Sequence, residues 1–261
     1  MTVIRTDEWF EIKNVTFDDI LGKLPYKSHG VSKNELKNIL LAHGLHPNLK
    51  SGKNLIKILQ KKEIWRLIKF YYQKYKRIWK GPDIPIYILP IHSENRALMK
   101  DSNGKSGVAF PEALYLFLSN LPSKKEIEAL FVHEYHHVCR FHAIREKVPY
   151  LTLLDSLVME GLAEHAVLDY CGENYIAKWN RAYSDEQLRS WWKRWFYPNL
   201  STRREKKLHD LLLYGRKIYP TMVGYSVGFF IISEFRKEEN FSTKTFIGEP
   251  SETFVLRNFT N

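Results

Sequence analysis

Cysteine is scarce in this chain: two of 261 residues, Cys139 and Cys171. Two thiols make no disulfide framework, so a packed core must hold the fold, and both read as buried thiols. No apolar run is long enough to span a bilayer. The stretch from Met1 to Glu8 lacks the apolar segment of a secretory signal. The expectation is a cytoplasmic protein without a transmembrane segment. Acidic residues are outnumbered, 29 against 40 Lys and Arg, for a net charge of +11 and a pI of about 9.4. Basic residues are spread through the chain and no recognised nucleic-acid module accompanies them. The charge reads first as a solvated surface, and it leaves acidic substrates and anionic lipid surfaces open. The hydrophobic fraction is 44%, enough for one sizeable core or two small lobes.

Against this background one stretch stands out, Phe131-Val132-His133-Glu134-Tyr135-His136-His137-Val138. Residues i and i+4 share a helix face. His133 and His137 can therefore offer two imidazoles to one zinc ion and leave other positions open. Glu134 is placed to take a proton from water at such a metal. Ser123-Lys124-Lys125-Glu126 reads as a capping box. No Gly or Pro follows until beyond Lys147, so the pattern predicts one helix with the motif in its middle. Cys139 falls off the His133/His137 face, and His136 points away from it.

Residues 1–80 read as helical and polar-faced. A short amphipathic segment runs over 34–42, and a longer helix over about 54–79 whose Lys and Arg form a solvated face. His29, His43 and His46 lie in turn-like sequence and receive no metal role. Gly81-Pro82-Asp83 stops the long helix. Residues 84–90 carry a strand signal whose two prolines suggest an edge or strand ends. Residues 101–107 read as a loop, and 108–118 as one or two strands. An exposed edge of this small sheet could hold an extended peptide, or the sheet could simply cover the core.

A second helix is expected from Leu153 to Tyr170, with Gly172 as its C-cap. Glu160 and Glu164 share a face among Leu157, Ala163 and Val167, where a carboxylate is costly unless paired or metal-bound. Glu160 is the expected third zinc ligand. Glu164 is the expected acceptor from the outer nitrogen of a ligating imidazole. Gly161 and Ala163 would bring this helix close to the motif helix. Farther on, the aromatic cluster Trp191, Trp192, Trp195 and Phe196 reads as core, and Ser201 to Lys217 as a basic helix. Gly224 and Gly228 at i and i+4 would bring a last apolar helix close to a neighbour. Tyr225 between them could stabilise an oxyanion or be a core tyrosine; Tyr219 and His209 are the alternatives.

His133-Glu134-x-x-His137 followed by Glu160-Gly161-Leu162-Ala163-Glu164 resembles the gluzincin group of zinc metallopeptidases, of which thermolysin is the familiar member. Over roughly residues 60 to 261 the chain is more similar to a family of predicted zinc-dependent proteases still classed as a domain of unknown function. The shared features are Trp79-x-Gly81-Pro82-Asp83-Ile84-Pro85 and Gly224-Tyr225-x-x-Gly228. The resemblance implies a zincin-like fold with Glu160 as ligand and Glu134 as base, and it implies no particular substrate.

These readings converge on an α+β, mostly helical protein with a small sheet preceding the motif helix. A helical extension over 1–80 is expected before a catalytic domain over 81–261. The expected cofactor is one Zn2+, held by His133, His137 and Glu160. The expected reaction is hydrolysis of peptide bonds in a peptide or protein substrate by water, with Glu134 as base and Tyr225 as helper. The competing readings are a basic binding protein that keeps a structural zinc site and a hydrolase of a non-peptide amide.

Overall fold

The computed structural model describes residues 2–144 and 151–255. The order is helices α1 (Thr6–Glu11), α2 (Phe17–Gly22), α3 (Lys33–Ala42), α4 (Leu49–Lys61) and α5 (Ile64–Trp79), then strand β1 (Ile86–Pro90). Helix α6 (Arg96–Ser102), strands β2 (Lys105–Phe110) and β3 (Ala113–Leu118), and helix α7 (Lys124–Ile144) follow. The remaining helices are α8 (Leu153–Cys171), α9 (Asp185–Trp191), α10 (Lys207–Tyr214) and α11 (Val223–Glu238). The chain is mostly helical with one small sheet, the α+β class expected from sequence. It divides into two compact units, Met1–Val138 and Cys139–Asn261, with the boundary inside α7.

In the first unit the expected helix over 54–79 is two helices. Glu63 between them adopts the left-handed conformation at φ 55°, without Gly or Pro to announce it. The apolar phase explains the break. Leu55, Ile56 and Leu59 are buried on α4, and Ile64, Ile68, Tyr72 and Tyr75 on α5. At 3.6 residues per turn these two faces lie about half a turn apart on one continuous helix. A straight rod would bury one and expose the other.

The sheet has the order β1-β3-β2, with β1 parallel and β2 antiparallel to β3. The prolines did mark an edge: β1 is an outer strand, and Pro90 closes it. The 101–107 stretch is not all loop, because α6 reaches Ser102 and β2 begins at Lys105. Every residue of the central strand β3 is buried. The capping box of α7 is present: Glu126 N donates to Ser123 Oγ at 3.2 Å, and Ser123 N to Glu126 Oε2 at 2.8 Å.

In the second unit α8 and α11 form the core with Leu157, Leu162, Trp192, Phe196, Val227 and Ile231. Trp192 and Phe196, on a wide helical turn after α9, are buried as expected of that aromatic cluster. Gly161 and Gly228 meet at the α8–α11 crossing. A Cβ on Gly161 would stand 2.2 Å from the Gly228 carbonyl oxygen, and one on Gly228 2.2 Å from that of Leu157. Gly161 therefore brings α8 against α11, whereas the sequence pattern had suggested the motif helix as its neighbour. The basic helix expected over 201–217 is confined to α10. The 200–204 backbone is used elsewhere: Leu153 N donates to Thr202 O at 2.8 Å and Leu154 N to Leu200 O at 3.1 Å. These bonds satisfy first-turn donors of α8, which have no partner within their own helix.

Candidate metal centre

The motif helix α7 places His133 and His137 one turn apart, with their Nε2 atoms 3.0 Å from each other and their rings edge to face. Two ligands about 2.1 Å from one zinc ion at a tetrahedral angle stand roughly 3.4 Å apart, so this pair is close to ligand spacing. One ligand atom each from His133, His137 and Glu160 of α8 lie within 4.8 Å of one another. Two imidazoles and a carboxylate are zinc donors by chemistry, and the residues fit that ion.

Glu134 is buried on α7. Strand β2 presents a glycine to it: a Cβ on Gly107 would stand 2.6 Å from Glu134 Cγ and 2.8 Å from Oε1. Bare backbone at this point gives the carboxylate its room. The approach of a side chain to a strand is one of the uses of glycine in a sheet. β2 hydrogen-bonds only to β3 among the described strands, and Glu134 lies over its face at Gly107.

Residues just before the sheet brace α7. The Trp79 ring lies 6.1 Å from Tyr135 and edge-on to His136 at 5.3 Å. Tyr135 donates from its hydroxyl to the Pro82 carbonyl at 2.9 Å. Asp83 accepts from Tyr72 and Lys76. The Trp-x-Gly-Pro-Asp segment is thus a support for the back of the motif helix, and His136 belongs to that packing.

The family model described as "Predicted Zn-dependent protease (DUF2268)" matches residues 64–256. The chain belongs to the DUF2268 family. It is also 35% identical over 258 residues to the "Uncharacterized protein YjaZ" of Bacillus subtilis (strain 168), covering 98% of each chain. No solved structure matches. No described helix is long and apolar enough to cross a membrane.

Within this DUF2268 chain the remaining candidates separate. Glu164 is buried and accepts on Oε2 from Ala177 N at 2.7 Å and Asn180 Nδ2 at 2.9 Å. This ties α8 to the 177–180 turn, a partnership with no sequence signal. Ser226 of α11 holds the same turn by donating to Trp179 O at 2.8 Å. Tyr225 is partly buried, with its ring edge-on to Trp179 at 5.8 Å and 6.1 Å from Tyr214. Tyr219 lies edge-on to Trp195. His209 is buried with both ring nitrogens engaged, Nε2 with Ser156 Oγ at 2.9 Å and Nδ1 with Asp210 at 3.0 Å. That bonding leaves neither nitrogen for an oxyanion. Ser156 is itself buried, so this Ser–His–Asp chain is internal bracing of α8 and α10 and not a nucleophile open to substrate.

Sequence reasoning missed Tyr214 at the end of α10. Burial raises its hydroxyl pKa, and the charge of Glu160 raises it further, so the phenol lies within electrostatic reach of the candidate ligand. Both cysteines are buried. His165 stacks on Phe229 at 4.4 Å, with Nε2 3.1 Å from Ser233 Oγ. It is part of the α8–α11 packing.

Proposed function

We propose that this chain hydrolyses peptide bonds with one zinc ion held by His133, His137 and Glu160. The observation that carries the reading is the convergence of these three donors in a chain of a predicted Zn-dependent protease family. Zinc bound there supplies Lewis acidity and makes nearby water more acidic. Glu134 takes the proton of the attacking water and returns it to the leaving amine. The free edge of β2 receives the substrate backbone in extended form, by main-chain hydrogen bonds. Tyr225 donates to the developing oxyanion, with Tyr214 as its competitor. Glu164 accepts from a ligating imidazole and fixes its tautomer. Residues 81–261 carry the catalysis, and 1–80 form a helical extension. The cytoplasm is the proposed location, since a chain with two cysteines has no disulfide framework of the kind secreted domains carry.

Glu134→Gln tests the base. The substitution is nearly isosteric and leaves the three donors in place, so zinc content and melting temperature should stay at wild-type values. Turnover of a peptide library should vanish. Unchanged turnover in an assay that chelator abolishes would remove Glu134 from the mechanism.

A further inference from the structure

The basic residues of this chain are spread, but their excess is not. Residues 49–80 hold eleven Lys and Arg and one acid, Glu63, and so carry ten of the chain's net eleven charges. The surplus is ordered. On α4, Lys50, Lys53, Lys57 and Lys61 recur at i, i+3, i+7 and i+11. They fall opposite the face that buries Leu55, Ile56 and Leu59. On α5, Arg66, Lys69 and Arg77 fall opposite the buried Ile64, Ile68, Tyr72 and Tyr75, and Lys80 follows at the C-cap. Ion pairs on these helices are confined to Arg66–Glu63, Lys74–Glu128 and Lys76–Asp83 among the described residues. Among the described residues the α4 stripe has none.

A face that merely keeps a helix in water mixes signs and gains from i, i+4 pairs. Here Lys57 and Lys61 are like charges at that spacing, which weakens the helix they sit on. Two large apolar side chains are exposed among these cations: Phe70 is 60% exposed within the α5 stripe, and Ile58 is 41% exposed beside the α4 stripe. Water gives nothing back for either feature, whereas an anionic apolar interface rewards both. Nine of the eleven cations are Lys, point charges without the planar fork that reads bases or stacks on them. The cleft beside α5 is lined by Asp7, Glu8 and Glu63 as well as Arg66 and Lys69, a mixed-sign wall unsuited to a threaded nucleic-acid strand.

We propose that α4 and α5 dock this chain on an anionic lipid surface, with the Lys and Arg stripes on headgroup phosphates and Phe70 and Ile58 entering the headgroup region. The proposal does not depend on the hydrolytic reading, and α4 lies outside the residues that the family model covers.

The test is co-sedimentation of the full chain with vesicles of phosphatidylcholine, alone or mixed with phosphatidylserine, at low and high salt. Binding should require phosphatidylserine and fall with salt. The variant Lys50→Glu/Lys57→Glu/Lys61→Glu changes exposed helix positions to another good helix former. It should bind at least about a hundredfold more weakly, from about a fivefold loss per lysine near the surface, with zinc content and melting temperature unchanged. Phe70→Ser should weaken binding to the same vesicles while leaving the salt dependence in place. No binding to phosphatidylserine vesicles, equal binding by the triple variant, or tighter binding to duplex DNA or polyglutamate than to the vesicles would each overturn the proposal.

Discussion

Gly107 offers a way to move the proposed base without touching a metal ligand. A Cβ there would stand 2.6, 2.7 and 2.8 Å from Glu134 Cγ, Cδ and Oε1. Ordinary contact is about 3.5–4.0 Å between carbon atoms, so Gly107→Ala must displace the carboxylate by roughly 1 Å. The obstacle is the end of a flexible side chain, so the fold can accommodate it. Alanine also suits a strand no worse than glycine does, and the melting temperature should hardly move. The chemical cost is different in kind, because a misplacement of about 1 Å in a reacting group can cost around a hundredfold in rate. Gly107→Ala is therefore expected to keep its zinc and lower kcat by roughly ten- to a hundredfold. The assay is steady-state peptidolysis with metal analysis and thermal melting on the same preparation. Wild-type kcat would refute the placement of Glu134 as base beside β2. Loss of zinc would show that β2 holds the ligands themselves.

Two further outcomes follow from the same geometry. Tyr225→Phe should lower kcat by roughly ten- to a thousandfold with zinc content and KM little changed; a full-speed Tyr225→Phe beside a slow Tyr214→Phe would pass the role to Tyr214. His165 should set part of the acid limb of stability. Burial lowers its pKa from 6.5 to about 4, so the folded state prefers the neutral ring and the unfolded chain binds the proton first. Its contribution is present above about pH 6.5 and is lost as pH falls toward 4, by on the order of 3 kcal/mol in all. Melting curves between pH 7 and 4 should flatten in His165→Gln, and an unchanged slope would contradict the assignment.

Local signals wrote much of this structure in plain form. Ser123 and Glu126 start α7, Thr152 and Gly172 bound α8, and the prolines of 84–90 put β1 at an edge. The break between α4 and α5 was also present, as a half-turn slip in the apolar stripe, but a composition of helix formers hid it. Three features depend on distant backbone. Gly161 packs on Gly228, Gly107 makes room for Glu134, and residues 200–204 leave helical conformation to serve the first turn of α8. Tyr214 is hidden for the same reason: its own neighbours say only that it ends a short helix, while its relation to Glu160 depends on how α10 lies against α8. The candidate ligands were legible because an i, i+4 His pair and an Glu on a small-residue helix face carry their chemistry locally.

The central claim rests on one measurement, the zinc content of chain purified without chelator beside that of the His133→Ala/His137→Ala variant. About one zinc per chain is expected in the wild type, with its loss in the variant while the helices persist by circular dichroism. A metal-free wild type, or a variant that keeps its zinc, would contradict the account.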